Sequence, residues 1–293
     1  MAREVTLAAT QMSCGREVEE NVAKAERLVG QAASLGAQVV LLQELFETPY
    51  FPIDQDDRQF ALARPLTGHP TIERLRHLAR ELGVVVPVSF FERAGNAFFN
   101  TVAVVDADGS VLGVYRKTHI PQAPAYQEKY YFSPGDTGPR VWPTRFGLLG
   151  IGICWDQWFP ESARCMALMG AEVLLYPTAI GSDPPTIDAR SRGAWQRVQQ
   201  GHAAANFMPL VASNRIGTES GKCASIRFYG SSFIADHTGA LLAQASEEAD
   251  EVVTATVDLD EVRAYREAWS VFKDRRPDVY GTLLTLDGEM VWS

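Results

Sequence analysis

The sequence predicts a layered α/β fold, a four-layer αββα sandwich of two mixed β-sheets packed face to face with helices on both outer faces. Three observations predict it. Near the N-terminus apolar strand runs alternate with amphipathic helices, a hairpin pattern begins at Asn96, and strand-helix alternation resumes after residue 146. No fixed-period repeat, low-complexity tract or linker-like boundary interrupts the chain, so residues 1–293 are read as one domain.

Taken in order, EVTLAATQ reads as a strand, VEENVAKAERLVGQAASLG as an amphipathic helix, and AQVVLLQE as a second, buried strand. FETPYFPIDQDDRQ is a loop rich in Pro, Asp and aromatics; TIERLRHLAREL restores helical spacing and VVVPVSFFE is again strand. In FFNTVAVVDADGSVLGVYRK an Asp-Gly turn separates two strand-like runs, which predicts an antiparallel pair. Residues 121–140 read as loop. The strand FGLLGIGIC then leads to a helix opened by Pro160 and Glu161, followed by the strand AEVLLYPTAI, a long helix near 190–206 and the strand MPLVASNRI.

Composition narrows the functional classes. At 46% hydrophobic and 22% charged residues, the chain has the make-up of an ordinary globular protein with a sizeable core. Its 27 Lys and Arg stand against 36 Asp and Glu, and the net charge of -9 disfavours nucleic acid and anionic membrane as partners while leaving a cationic small molecule welcome. Cys14, Cys154, Cys165 and Cys223 form no Cys-x-x-Cys pair and have no His at zinc-ligand spacing, so they read as reduced thiols. The N-terminal stretch lacks a basic leader followed by an apolar run, and no segment approaches the roughly 18 uninterrupted apolar residues of a membrane span. A cytoplasmic location is expected.

Three polar residues share one structural setting, the C-terminal end of an apolar strand run: Glu44, Lys117 and Cys154. Ligands gather where strands run out into loops, so complementary groups at such ends could meet in one pocket. A thiolate is a strong nucleophile but needs a nearby cation or base at neutral pH, which Lys117 and Glu44 could supply. Lys117 would then stabilise a tetrahedral oxyanion, and Glu44 would move the proton and later activate water. Position alone favours a buried structural cysteine, a lysine reaching out to solvent and a salt-bridged or exposed glutamate. Glu128, eleven residues after Lys117 in the aromatic segment AYQEKYYF, could orient Lys117 or face solvent. A Cys-His pairing through His119 or His202 competes with the Cys-Lys-Glu arrangement, although the histidines follow no shared pattern.

Around Cys154, IGICWDQWFPE resembles the nucleophile motif of the nitrilase superfamily, whose members use a Glu, a Lys and a Cys. LLQELFETPYF is similar to its glutamate motif and YRKTHIP to its lysine motif, in the family's order. YQEKYYFSPGDTG, YPTAIGSD, WQRVQQGHAAANFMPLVASNRIG, FYGSSFIA and VFKDRRPDVYGTLLTLDG resemble the branch that hydrolyses N-carbamoylputrescine to putrescine, ammonia and carbon dioxide, so the resemblance covers nearly the whole chain. It implies a covalent thioester on Cys154, an oxyanion held by Lys117 and the Trp155 backbone amide, proton shuttling by Glu44, and Glu128 as the second glutamate beside the triad. It also implies that Tyr50 and Trp155 line the four-carbon tether. No metal or organic cofactor is implied, and the subunits would form a homo-oligomer in which the tail, about 262–293, packs on a partner. Two stretches depart from the pattern: IADHTG varies a turn, and Asp183 stands where many relatives have Glu. A carboxylate there would pair with the distal ammonium of the substrate or cap a helix before Pro184 and Pro185. Another N-carbamoyl amine or amino acid, an omega-amide or a nitrile is the alternative substrate. A non-catalytic binding protein of the same fold is opposed by the intact Glu44, Lys117 and Cys154.

Overall fold

Strand β1 (Glu4–Gln11), helix α1 (Val18–Ser34) and strand β2 (Val39–Leu41) form a crossover unit in the computed structural model, which describes residues 2–182 and 190–289. β1 and β2 pair in parallel, as a helical crossover requires. Helix α2 (Pro70–Leu82) opens on a proline whose absent N–H would have gone unpaired anyway, and it stops at Gly83, which takes the left-handed conformation and donates its N–H to Ala79 O. Strands β3 (Val86–Ala94), β4 (Ala97–Val105) and β5 (Val111–Arg116) follow as an antiparallel meander turning at Asp108-Gly109. A parallel bridge between Val39 and Val85, with Val40 N–H to Val85 O at 2.9 Å, joins β2 to the meander. The first sheet is therefore continuous across that bridge.

Helix α3 (Glu128–Tyr131) is a single turn, and β6 (Val141–Thr144) and β7 (Gly147–Ile151) make a tight hairpin. Then come α4 (Pro160–Leu168), β8 (Val173–Pro177), β9 (Gly181–Ser182), α5 (Arg190–Asn206), β10 (Leu210–Ser213), β11 (Thr218–Ser220), β12 (Ser225–Phe228), β13 (Phe233–Ala235), β14 (Leu241–Gln244), β15 (Glu251–Asp258) and α6 (Leu259–Trp269). The second sheet runs β14-β13-β10-β8-β7-β6, parallel across β7, β8 and β10 and antiparallel at both margins. β15 returns to pair antiparallel with β1 at the edge of the first sheet, and β11, β12 and β9 form a small third sheet.

Alternation of side chains along the strands builds the layers. In the first sheet Ala8, Val40, Leu42, Val86, Val88 and Ala103 face α1 and α2, meeting Val22, Val29, Ile72 and Leu75. Their neighbours Leu7, Ala9, Val39, Leu41, Val102 and Val104 join the core that includes Leu149, Ile151, Leu175 and Val211 of the second sheet. Polar side chains stitch the two sheets at one end: Ser213 Oγ donates to Leu41 O at 2.8 Å, Thr10 N–H to Ser213 Oγ at 3.1 Å, and Ser232 Oγ to Thr10 O at 3.1 Å. The result is the αββα sandwich expected from sequence.

Differences lie at element ends. The strand read through Glu44 stops at Leu41, the one read through Cys154 stops at Ile151, and each functional side chain sits just beyond its strand. β6 falls in a stretch with no strand expectation; its Pro143 cannot donate to a ladder, a loss tolerated because β6 is an edge strand.

Candidate active site

Glu44, Lys117 and Cys154 leave the carboxyl ends of β2, β5 and β7, where open backbone must turn sharply. Leu45 and Cys154 both have positive φ, 49° and 43°, the left-handed region that non-glycine residues enter at a cost of about 1–3 kcal/mol. At Cys154 the strained residue begins the helical turn Cys154–Trp158, which lifts its side chain off the sheet end. The Glu44 loop is held from behind. Buried Arg215 donates to Glu44 O at 3.1 Å, Leu45 O at 2.8 Å and Thr48 O at 2.9 Å, and pairs with Glu219 at 2.7 Å.

At the centre of the cluster is the Lys117 ammonium, fully buried. Its Nζ lies 2.8 Å from Glu44 Oε1 and 2.9 and 2.7 Å from the two oxygens of Glu128, so its three N–H donors match three carboxylate contacts. Asn100 Nδ2 also donates to Glu44 Oε1, at 2.7 Å, and the Tyr50 hydroxyl donates to Glu128 Oε1 at 2.6 Å. Glu44 Oε2 is buried without a hydrogen-bond partner among the described residues. One oxygen of this carboxylate is thus free of protein donors among the described residues.

Electrostatics follow from burial. Desolvation alone would lower the Lys117 pKa, yet Glu128 and Glu44 outweigh it and hold the ammonium charged well above its ordinary range. Burial pushes Glu128 up to about 7, with Lys117 pulling it down and Glu44 pushing it up. The two directions belong to one cluster: a single cation is shared by two carboxylates, so neither is fully compensated. Burial, then Glu44 and Glu128, push the Cys154 thiol well above its ordinary value, while Lys117 pulls it down. At rest, therefore, the sulfur is held as a thiol, under the influence of two carboxylates and one ammonium.

Glu44, Lys117, Cys154 and Glu128 thus lie in one buried cluster. Tyr50 is buried there too, but its hydroxyl is spent on Glu128 and its ring edges against Tyr126 and Phe228. Trp155 is half-buried and packs edge-on against Trp158; Asp183 lies outside the described residues. The Cys-His alternative finds no support in these contacts. His119 Nδ1 engages Asp156 at 2.7 Å and stacks on Phe159, and His202 Nε2 meets Gln157 O at 2.7 Å. Asn100 and Arg215 were not singled out from sequence; the signal available was a polar residue inside each of two apolar strand runs, FFNTVAVV and LVASNRI. Among the described residues no group of His, Cys, Asp and Glu is arranged to hold a metal ion, and no helix is long and apolar enough to cross a membrane.

Comparison with known proteins places the whole chain. The chain is 57% identical to an N-carbamoylputrescine amidase of Solanum lycopersicum over 98% of its own length and 97% of that protein. It is 49% identical to a citrullinase of Francisella tularensis, covering 96% and 98% of the two chains. Among solved structures, a carbon-nitrogen hydrolase of Helicobacter pylori superposes with a TM-score of 0.91 at 37% identity, covering 97% of this chain and 99% of that one. A family model for carbon-nitrogen hydrolases matches residues 6–267, and the chain belongs to that family.

Proposed function

We propose that the protein hydrolyses N-carbamoylputrescine, with Cys154 as nucleophile, Lys117 as electrostatic stabiliser, Glu44 as proton shuttle and Glu128 as the group that holds Lys117. The observation that carries this reading is the buried Lys117 ammonium between two carboxylates, beside a thiol that feels all three charges. Because burial holds the sulfur protonated, attack and deprotonation occur together: the thiol proton passes to Glu44 Oε2 as sulfur bonds the ureido carbon. Negative charge then builds on the ureido oxygen. Lys117 can donate to it by releasing one of its two Glu128 contacts, and the Trp155 backbone N–H is the proposed second donor, an arrangement worth roughly 3 kcal/mol per donor. Glu44 passes the proton to the departing nitrogen as the first C–N bond breaks, a water deprotonated by Glu44 displaces the sulfur, which regains its proton, and the carbamic acid released breaks its remaining C–N bond to give carbon dioxide and the second nitrogen product. In sum, one carbamoyl-amine and one water give the free amine, ammonia and carbon dioxide.

The overall acidic balance suits a cationic substrate, and Tyr50, Trp155 and Asp183 are the proposed contacts for its tether and distal ammonium. A second reading, citrulline as substrate, is favoured by the citrullinase relative; both molecules present a terminal ureido group on an aliphatic chain. Steady-state assays on N-carbamoylputrescine, citrulline, an omega-amide and a nitrile decide between them. We expect the highest kcat/KM on N-carbamoylputrescine and none measurable for Cys154→Ala, and higher kcat/KM on any other member of the panel would reassign the substrate. The four free thiols suit a reducing cytoplasm. The tail from about 262 is proposed to pack on a second copy in a homo-oligomer, a reading supported by the exposed Trp269, Val279, Leu283, Leu284 and Leu286. A chain ending at Ser270 should elute as a smaller species, and an unchanged elution volume per subunit would reject that role.

A further inference from the structure

We infer that Asp156 is a positioning residue that locks the nucleophile turn in register with Lys117, a role that rests on the Cys154-Lys117-Glu44 reading above. Its carboxylate is fully buried and takes no part in the charged cluster. Oδ2 accepts the Ile153 N–H at 2.9 Å and the Tyr115 hydroxyl at 2.7 Å; Oδ1 accepts the His119 N–H at 2.9 Å and His119 Nδ1 at 2.7 Å. Ile153 immediately precedes Cys154, while Tyr115 and His119 stand two residues either side of Lys117. One side chain thus ties the strained turn to both flanks of the lysine.

The surroundings are shaped for this tie. A Cβ on Gly152 would meet Tyr176 Cε1 at 2.7 Å and Asp156 Cβ at 3.2 Å, so only glycine lets the aspartate tuck beneath the turn. At the other end of the turn the Phe159 ring stacks on His119, with centroids 3.6 Å apart and planes 6° from parallel. With four donors converging on its two oxygens, Asp156 is saturated and has no lone pair directed at substrate. Its contribution is geometric: it opposes relaxation of the positive φ at Cys154, and a displacement of about 1 Å at a reacting atom can lower turnover roughly 100-fold.

The test is Asp156→Asn, whose NH2 must face at least one backbone N–H, that of Ile153 or His119. We expect kcat to fall about 100-fold with KM changed less than about threefold. Alkylation of Cys154 by iodoacetamide, followed peptide by peptide, should slow about tenfold, while the exposed Cys165 and Cys223 keep their rates. Adding His119→Gln to Asp156→Asn should cost less than about twofold more, since both act through one network. Retention of kcat within about threefold would overturn the inference, as would an equal change at all three thiols, which signals general loosening. Should Asp156→Asn fail to fold, Tyr115→Phe and His119→Gln decide: each should lower kcat several-fold at constant KM, and unchanged kcat in both overturns it. A wild-type protein inert on every ureido substrate would remove the amidase reading alone, and the alkylation contrast would still decide the role of Asp156.

Discussion

Replacing Tyr50 by Phe removes one hydroxyl and leaves the packing of the ring against Tyr126 and Phe228 in place. The lost bond is the 2.6 Å donation to Glu128 Oε1. A hydrogen bond to a charged acceptor contributes about 1.5–3 kcal/mol, equivalent to about 1–2 pKa units at 1.36 kcal/mol each. Glu128 already sits up at about 7, because burial raises it and the Lys117 and Tyr50 contacts lower it only in part. Losing a donor that favours the ionised carboxylate moves the pKa up, never down. If turnover needs Glu128 ionised to hold Lys117, the acid limb of kcat/KM moves to higher pH by about 1–2 units, and activity at pH 7 drops roughly 5- to 50-fold while the alkaline plateau is kept. The observed limb belongs to the cluster of Glu44, Lys117 and Glu128 together. Rate profiles for wild type and variant from pH 5 to pH 10 measure it. An acid limb that stays in place or moves down would refute the argument that Tyr50 acts through Glu128.

Glu44→Gln keeps an oxygen for Asn100 and Lys117 but loses the base at Oε2, so kcat should fall by about 10²–10⁴. Because the change also removes the uncompensated negative charge of a buried cluster, thermal unfolding should show a melting temperature no lower than wild type; a clear drop would show that the carboxylate stabilises the fold. Cys154→Gly and Cys154→Ala should both be inactive, yet the glycine variant should be the more stable by about 1 kcal/mol, reversing the usual order because φ at this position is 43°. Denaturant titration checks it, and an alanine variant as stable as the glycine one would mean the turn relaxes once sulfur is gone.

The layers were legible because the central strands alternate between two buried faces and helices α1 and α2 each bury an apolar stripe. Val39-Val40-Leu41-Leu42 shows the limit of that reading. All four are apolar, so the run reads as strand through to Glu44, but pairing with β1 ends at Leu41 and the chain swings out to place the carboxylate. Period-2 patterning records burial, and burial continues past the point where ladder hydrogen bonds stop. VWPT was invisible for the opposite reason, since four residues with a proline carry no periodic signal and only the β7 partner makes them a strand.

Residue type and position at strand ends drew attention to Glu44, Lys117 and Cys154, because chemistry of that kind is costly to bury without a partner, but it was the resemblance of LLQELFETPYF, YRKTHIP and IGICWDQWFPE to three family motifs that set them apart from structural residues. Their partners were not legible in the same way. Tyr50 reads as an aromatic wall for an aliphatic tether, and its hydroxyl instead finds Glu128, seventy-eight residues away. Asn100 reads as a polar interruption of β4, and its amide fixes the Glu44 oxygen that also meets Lys117. These contacts leave one oxygen of Glu44 without a partner among the described residues: Oε1 is taken by Asn100 and Lys117, and Oε2 is the proposed acceptor of the thiol proton. That directionality arises from hydrogen-bond saturation among residues distant in sequence, and no local pattern encodes it. A carboxylate with both oxygens open could swing, protonate at either, and lose the proton to a neighbour, whereas one pinned at Oε1 keeps a single oxygen open for the proposed proton transfer.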